Sequence, residues 1–275
     1  MSRPKSLAGL VASIEVQTLD WHAGLAAIQK HTGKPDELPL LSVVHAQASP
    51  DGNLYLTATD RYTAAIAVVS IWENHLPTGE VVEFDLAPDD VQDLRIFKPG
   101  RDDNPENRLR LDIGRNDVTV TEVAGMIETE ADKSLTLPRV VFTEKYPSVD
   151  KLIAQGIRQA MALRERAEDE GSTSDAAVEE VFATAALIGR FDAAAGAYRK
   201  PLVIQQTAEA RTALLIACGE SFAGMLMPIR PQPEDLAQHR TWQDGWLKRL
   251  PEPDEQPVAM PEPAKGDEAD QAGDE

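Results

Sequence analysis

Residues Leu40–Ile71 read LLSVVHAQASPDGNLYLTATDRYTAAIAVVSI, and this stretch decides the fold. Three apolar runs, Leu40 to Ala48, Asn53 to Thr59 and Thr63 to Ile71, are separated by Ser49-Pro50-Asp51-Gly52 and by Asp60-Arg61. Both separators favour tight turns, because Pro presets φ, Gly admits positive φ and Asp bonds its own backbone. Runs of this length bounded in this way predict three antiparallel strands joined as a meander. Upstream, Trp21, Leu25, Ala26 and Ile28 recur at helical spacing within Asp20 to Lys30, and His31, Gly33 and Pro35 end the run. The unit reads as a helix followed by a meander, behind an N-terminal arm over 1–15.

The same order returns. A strand at Glu80 to Phe84 precedes a helix from Pro88 to Phe97, then strands near Arg108 to Ile113, Val118 to Val123 and Met126 to Glu130. Gly114-Arg115-Asn116-Asp117 and Ala124-Gly125 supply the hairpin turns. Helix and strands recur about every 65 residues, which suits a doubled domain better than a solenoid of shorter repeats. Past Pro147, Lys151 to Glu168 and Ala176 to Tyr198 are alanine-rich and helical, and three strands follow: Leu202 to Gln206, Ala213 to Cys218 and Ala223 to Ile229. The expected class is α+β: one domain of two helix-and-meander units over 16–153, a reduced, helix-enriched second over 154–231, and an acidic tail over 232–275. That tail is amphipathic from Leu236 to Leu250 and too polar to fold from Pro251.

The chain has 275 residues, 42% of them hydrophobic, enough for a sizeable core. No window offers about 18 consecutive apolar residues, and the start is polar, so a cytoplasmic protein is expected. Cys218, the single cysteine, excludes disulfides within the chain and reads as a small buried hydrophobe. The formal net charge of −19 argues against a protein whose whole surface grips phosphate. Distribution matters more, because from Pro251 onward nine carboxylates face Lys265 alone.

Four segments resemble bacterial sliding clamps, the beta subunit of the replicative polymerase. Leu38-Pro39-Leu40-Leu41-Ser42-Val43-Val44 followed by Leu54 to Asp60 is similar to the family's run ending in A-T-D, here Ala58-Thr59-Asp60. Phe84 to Leu94 resembles the strand and helix that open the second half of a clamp domain. Lys145 to Ile153, KYPSVDKLI, resembles the segment leading from the middle domain to the last. Lys200 to Ile204 and Met225-Leu226-Met227-Pro228-Ile229-Arg230 look like the K-P-V-x-I strand and the terminal M-P-M-R-L. Two departures stand out: Arg61-Tyr62-Thr63-Ala64 replaces the family's Gly-His-Arg-Leu, and the first of three domains has no counterpart.

The resemblance implies a DNA-clamp fold, a processivity factor that is not an enzyme, and no cofactor. A compact clamp of this kind suits a phage. Its partners would be duplex DNA, held without sequence preference, and peptides of a polymerase and clamp loader. Motif carry-over places Leu41, Thr59, Arg61, Tyr62, Pro147, Lys151, Leu152, Met225, Met227, Pro228, Ile229 and Arg230 around the peptide pocket. Apolar members would accept Leu or Phe anchors, with Met adapting to different ligands. Sliding needs weak, phosphate-directed cations on helices, and Lys30, Lys34, Arg95, Lys98, Arg101, Arg158, Arg164, Arg166, Arg190, Arg199 and Lys200 are the candidates. Each alone reads equally as a solvated helix face. A ring needs identical interfaces that close, so a homo-oligomer is expected.

Three other readings stay open. A monomeric adaptor could keep the peptide pocket without enclosing DNA. An acidic metal-dependent nuclease could use Asp89 and Asp90, or Asp102 and Asp103, although adjacent acids at a helix start more often cap it. The tail helix bearing Trp242, Trp246, Leu247 and Leu250 could occupy the pocket or bind a partner.

Overall fold

A computed structural model describes residues 9–97, 107–123, 133–169, 181–207 and 213–249. In chain order its elements are β1 (Leu10–Gln17), α1 (Thr18–Ile28), β2 (Val44–Ala48), β3 (Asn53–Thr59), β4 (Thr63–His75), β5 (Val82–Leu86), α2 (Pro88–Asp93), β6 (Arg108–Gly114), β7 (Asp117–Val123), β8 (Ser134–Pro138), α3 (Val149–Asp169), α4 (Ala185–Ile188), α5 (Asp192–Tyr198), β9 (Leu202–Gln206), β10 (Leu214–Cys218), β11 (Phe222–Leu226) and α6 (Pro233–Leu247). Residues 1–230 form one compact unit, and residues 231–275 form a second, in which α6 opens on a bond from the Gln232 amide to Asp235 Oδ2 (2.8 Å).

The meander over Leu40–Ile71 is present as β2, β3 and β4, all antiparallel, with His45 opposite Thr57 and Thr59 opposite Ala64. Gly52 takes φ +86° in the first turn, where a side chain would be strained. Strand-helix-meander occurs twice, as β1-α1-β2-β3-β4 and β5-α2-β6-β7-β8. The copies interleave, because β5 pairs with β2 while β1 pairs with β6. A third helix and meander, α5-β9-β10-β11, follows, with no leading strand paired to it among the described residues.

Strand β4 holds these parts together. Its first residues, Thr63 to Ala67, lie between β3 and β11, with Thr63 opposite Leu226 and Ala67 opposite Phe222. Its far end crosses to β1, with Ile71 opposite Val16 and a register shift between Glu15 and Val16. Side chains alternate across the sheet, so the joint has two faces. Ala65, Ala67, Phe222 and Leu226 join Trp21, Leu25 and Ile28 of α1 and Phe191 and Ala194 beside or within α5 in the main core. Ala64, Met225 and Leu215 face the other way, under Val149 and Ile153 of α3. Helix α3 therefore packs on the opposite side of the joint from α1 and α5.

Several sequence expectations need correcting. The arm over 1–15 contains most of β1, whose Ala12, Ile14 and Val16 are buried at period two. The strand placed at Met126 to Glu130, with its Ala124-Gly125 turn, lies outside the described residues, and the third strand of that meander is Ser134–Pro138. The described part of the helix expected over Ala176 to Tyr198 holds two short pieces, α4 and α5, which Gly189, Arg190 and Phe191 separate.

Close approach at the joint needs glycine at position 224, where a Cβ would sit 2.6 Å from Phe191 Cε1 and 3.1 Å from the Ala64 carbonyl oxygen. Gly224→Ala is expected to lower stability by about 1–3 kcal/mol, as overpacking does, read from urea unfolding midpoints.

Candidate functional site

At the head of the joint the β3–β4 turn is built by Asp60, whose Oδ1 accepts the amides of Tyr62 (3.0 Å) and Thr63 (2.8 Å). Arg61 follows at φ +79°, in the left-handed region, and its amide reaches Thr59 Oγ1 (3.2 Å). Arg190 donates to Asp60 Oδ2 and to Thr63 Oγ1 (2.9 Å), so it fastens the α4–α5 segment to this turn. Burial pushes the Asp60 carboxyl up, but bonds from Arg190 and Thr63 outweigh it and hold it below its ordinary value. His31 sits beneath, fully buried, its ring 4.6 Å from that of Phe191. Burial and the Arg190 charge push its pKa down to about 3, so it stays neutral.

The residues predicted for the peptide pocket separate into three groups. Leu41, Thr59 and Met225 are buried, so they support the surface without offering contact area. Met225 lies under α3, where a Cβ on Gly156 would be 3.0 Å from its Sδ. Tyr62, Leu152, Met227 and Ile229 are half-exposed, at 57%, 47%, 48% and 47%. The Met227 amide donates to the Tyr62 carbonyl (2.8 Å), which puts those two residues side by side. Arg61 and Arg230 are exposed and Pro228 is half-buried.

Pro147 and Lys151 instead line a cleft of about 510 Å³ between β2, β5 and the segment before α3. Sequence reasoning missed its central residues. His45 Nδ1 donates to Asp85 Oδ1 (2.7 Å), and its ring stacks on Tyr146 at 4.6 Å and 10°. Burial pushes the Tyr146 phenol well above its usual range. The signal available was His45 on a strand within a segment of otherwise apolar and small residues. Arg139, also on the cleft, donates to the Gly114 (3.0 Å) and Glu83 (2.6 Å) carbonyls.

The cations predicted to face DNA do not share one surface. Lys30, Arg95, Arg199 and Lys200 are exposed at or beyond the ends of α1, α2 and α5, where Asp89, Asp93 and Asp192 are exposed too. Arg95 Nη2 donates to Gln29 Oε1 (3.3 Å), and Lys34 pairs with Glu37 (3.2 Å). Arg158 and Arg164 are exposed on α3, the helix on the other side of the joint, and Arg190 is the fastener described above. Arg166 lies on α3 with its side chain outside the described residues, as are Lys98 and Arg101. Asp90, weighed with Asp89 as a metal ligand, accepts the Ala87 amide (3.0 Å) and caps α2, while Asp102 and Asp103 fall outside the description. Among the described residues no group of three or more His, Cys, Asp or Glu side chains could hold a metal ion.

Several solved structures superpose on this chain at low sequence identity. The DNA polymerase III beta subunit from Thermotoga maritima superposes with a TM-score of 0.55 at 12% identity, over 82% of this chain and 67% of that one. A DNA polymerase sliding clamp from Pseudomonas aeruginosa gives 0.56 at 11%, over 81% and 68%. The DNA polymerase III beta subunit from Eubacterium rectale gives 0.55 at 10%, over 79% and 65%. The fold is that of a bacterial sliding clamp. The chain spans about two thirds of the length of these clamps. No protein-family model and no curated protein matches it. No described helix is long and apolar enough to cross a membrane.

The Asp60–Arg190 contact gives this clamp fold a testable pH dependence. Arg190→Met is expected to cost on the order of 1 kcal/mol by removing the partner of the part-buried Asp60 Oδ2, whose neighbour Oδ1 keeps its amide bonds. Because the folded Asp60 pKa lies below the unfolded carboxylate value of about 3.9, the stability of the wild-type chain relative to Asp60→Asn is complete above that value. The difference should shrink as pH falls through the lower folded value, measured by urea unfolding across an acid series.

Proposed function

We propose that this chain is a clamp-like accessory protein of a DNA polymerase, which holds a peptide of the polymerase or its loader on the outer side of the β4–β11 joint and, when assembled, encloses duplex DNA. The observation that carries the proposal is the joint itself, where β11 pairs with β4, in a fold shared with solved clamps over about four fifths of the chain. No bond chemistry is assigned to it. Half-exposed Tyr62, Met227 and Ile229 offer apolar contact for Leu or Phe anchors, and Arg61 and Arg230 beside them offer charge for polar or carboxylate groups of the peptide.

A second reading is favoured by a specific observation. The helical layer of α1, α2 and α5 exposes Asp89, Asp93 and Asp192 among its cations, while Arg158 and Arg164 sit on α3, across the joint. A mixed-sign layer holds phosphate weakly. An adaptor that binds the same peptides without enclosing DNA would need no more than this.

Two measurements separate the readings. Tyr62→Ala combined with Met227→Ala should weaken a polymerase-derived peptide by about 1–3 kcal/mol, read by calorimetry, as loss of apolar anchor contacts does. Unchanged affinity in the folded double variant would remove the site. Retention on nicked circular DNA that is lost when the circle is cut supports the clamp, and indifference to DNA topology supports the adaptor.

A further inference from the structure

Strands β4 and β11 carry one apolar strip across the outer face of the joint, and α3 covers part of it. Met225 stands opposite Ala64, and the bond from the Met227 amide to the Tyr62 carbonyl carries the pairing further. Residues two apart on a strand share a face, so Met225 and Met227 belong to the same strip. Met225 is buried, whereas Met227 is half-exposed. The difference is α3. Its Val149 and Ile153 pack with Met225, Ala64 and Leu215, and a Cβ on Gly156 would stand 3.0 Å from Met225 Sδ.

Helix α3 holds this position through few side chains. It is 21 residues long, yet among its described side chains only Val149 and Ile153 are buried, while Leu152, Ile157 and Met161 are exposed. Gly156 and Ala160 complete the contact, so the helix comes closest through its smallest residues. The leader into α3, over 139–148, forms neither strand nor helix. Arg139 ties down its start, and Tyr146, stacked on His45, ties down its end. An element with so little buried apolar surface, on an irregular leader, belongs to the low-stability end of a fold, from which lids are drawn.

Val149 and Ile153 lie one helical turn apart on the same face. They give the strip two branched apolar side chains, the kind of contact that Leu or Phe anchors of a docked peptide make. An apolar helix face laid on an apolar surface is itself a mode of peptide recognition, here made within one chain. We infer that α3 is an internal occupant of the peptide site: Val149 and Ile153 fill its covered half, and a polymerase or loader peptide gains the whole strip only when α3 lifts away. The inference rests on the peptide-site reading and adds its regulation. Tethering gives α3 a high effective concentration at the strip. The apparent affinity for a peptide then scales with the fraction of molecules in which α3 is displaced.

The test uses the full-length chain and a fluorescein-labelled synthetic hexapeptide ending in Leu-Leu-Phe, with binding read by fluorescence anisotropy. Gly156→Cys combined with Met225→Cys sets two thiols for a disulfide that pins α3, because a Cβ at position 156 lies 3.8 Å from Met225 Cγ. The native Cys218 is fully buried and does not compete. The reduced double variant is expected to bind the peptide about tenfold more tightly than its oxidised form. Ile153→Ala loosens α3 without a cross-link and is expected to bind about tenfold more tightly than the wild type, although its urea midpoint falls. A role confined to packing would lower that midpoint and leave affinity unchanged or weaker. Equal, measurable affinity in the oxidised and reduced forms overturns the inference and leaves the peptide site standing. Ile153→Ala binding no more tightly than the wild type also overturns it. If neither Ile153→Ala nor the reduced double variant binds the peptide at all, the peptide-site reading falls and this inference falls with it.

Discussion

One strand constrains the whole molecule. The first half of β4 has both edges engaged, by β3 and by β11, and its second half crosses to β1. A strand can serve three neighbours only if it is long, and β4 has 13 residues. The small side chains Ala64, Ala65 and Ala67, with Gly224 across from them, let helices approach on both faces. Apolar burial on two sides then adds to the ladder of main-chain bonds that holds α5 and β9–β11 to β4.

The same arrangement decides what each surface can do. Helix α3 shields Met225 and Leu215, so the outer face of the joint is dry beneath and presents its apolar character at the rim, through Tyr62, Met227 and Ile229. The layer of α1 and α5 packs around the buried ring of His31, and Arg190 fastens it to the β3–β4 turn. Charge available for phosphate is left at helix ends, interspersed with carboxylates.

Much of the fold was legible in residue patterns. Turn residues and alternating runs gave the first meander to within a few residues, and the A-T-D and M-P-I-R segments do meet at the joint. β1 was missed although Ala12, Ile14 and Val16 alternate inward over eight residues, because its place ahead of the first helix was read as an arm. Arg190 and Arg158 look alike in sequence, yet one is tied to Asp60 across 130 positions and the other is exposed on α3; no local pattern distinguishes them. The pocket residues were placed by motif, which locates a strand but not the helix that packs over it. His45 joins Asp85 and Tyr146 only because β2, β5 and the segment before α3 converge, a long-range arrangement that no spacing encodes.

Hydrogen exchange at the joint tests this account most directly. At a concentration where the chain is monomeric, amides of Phe222 to Met227 and of Thr63 to Val68 should exchange as slowly as those of Leu54 to Ala58 in the core, because both strands are paired within one chain. Fast exchange over Phe222 to Met227 beside a protected Leu54 to Ala58 would show that β11 is not welded to β4, and would contradict the account.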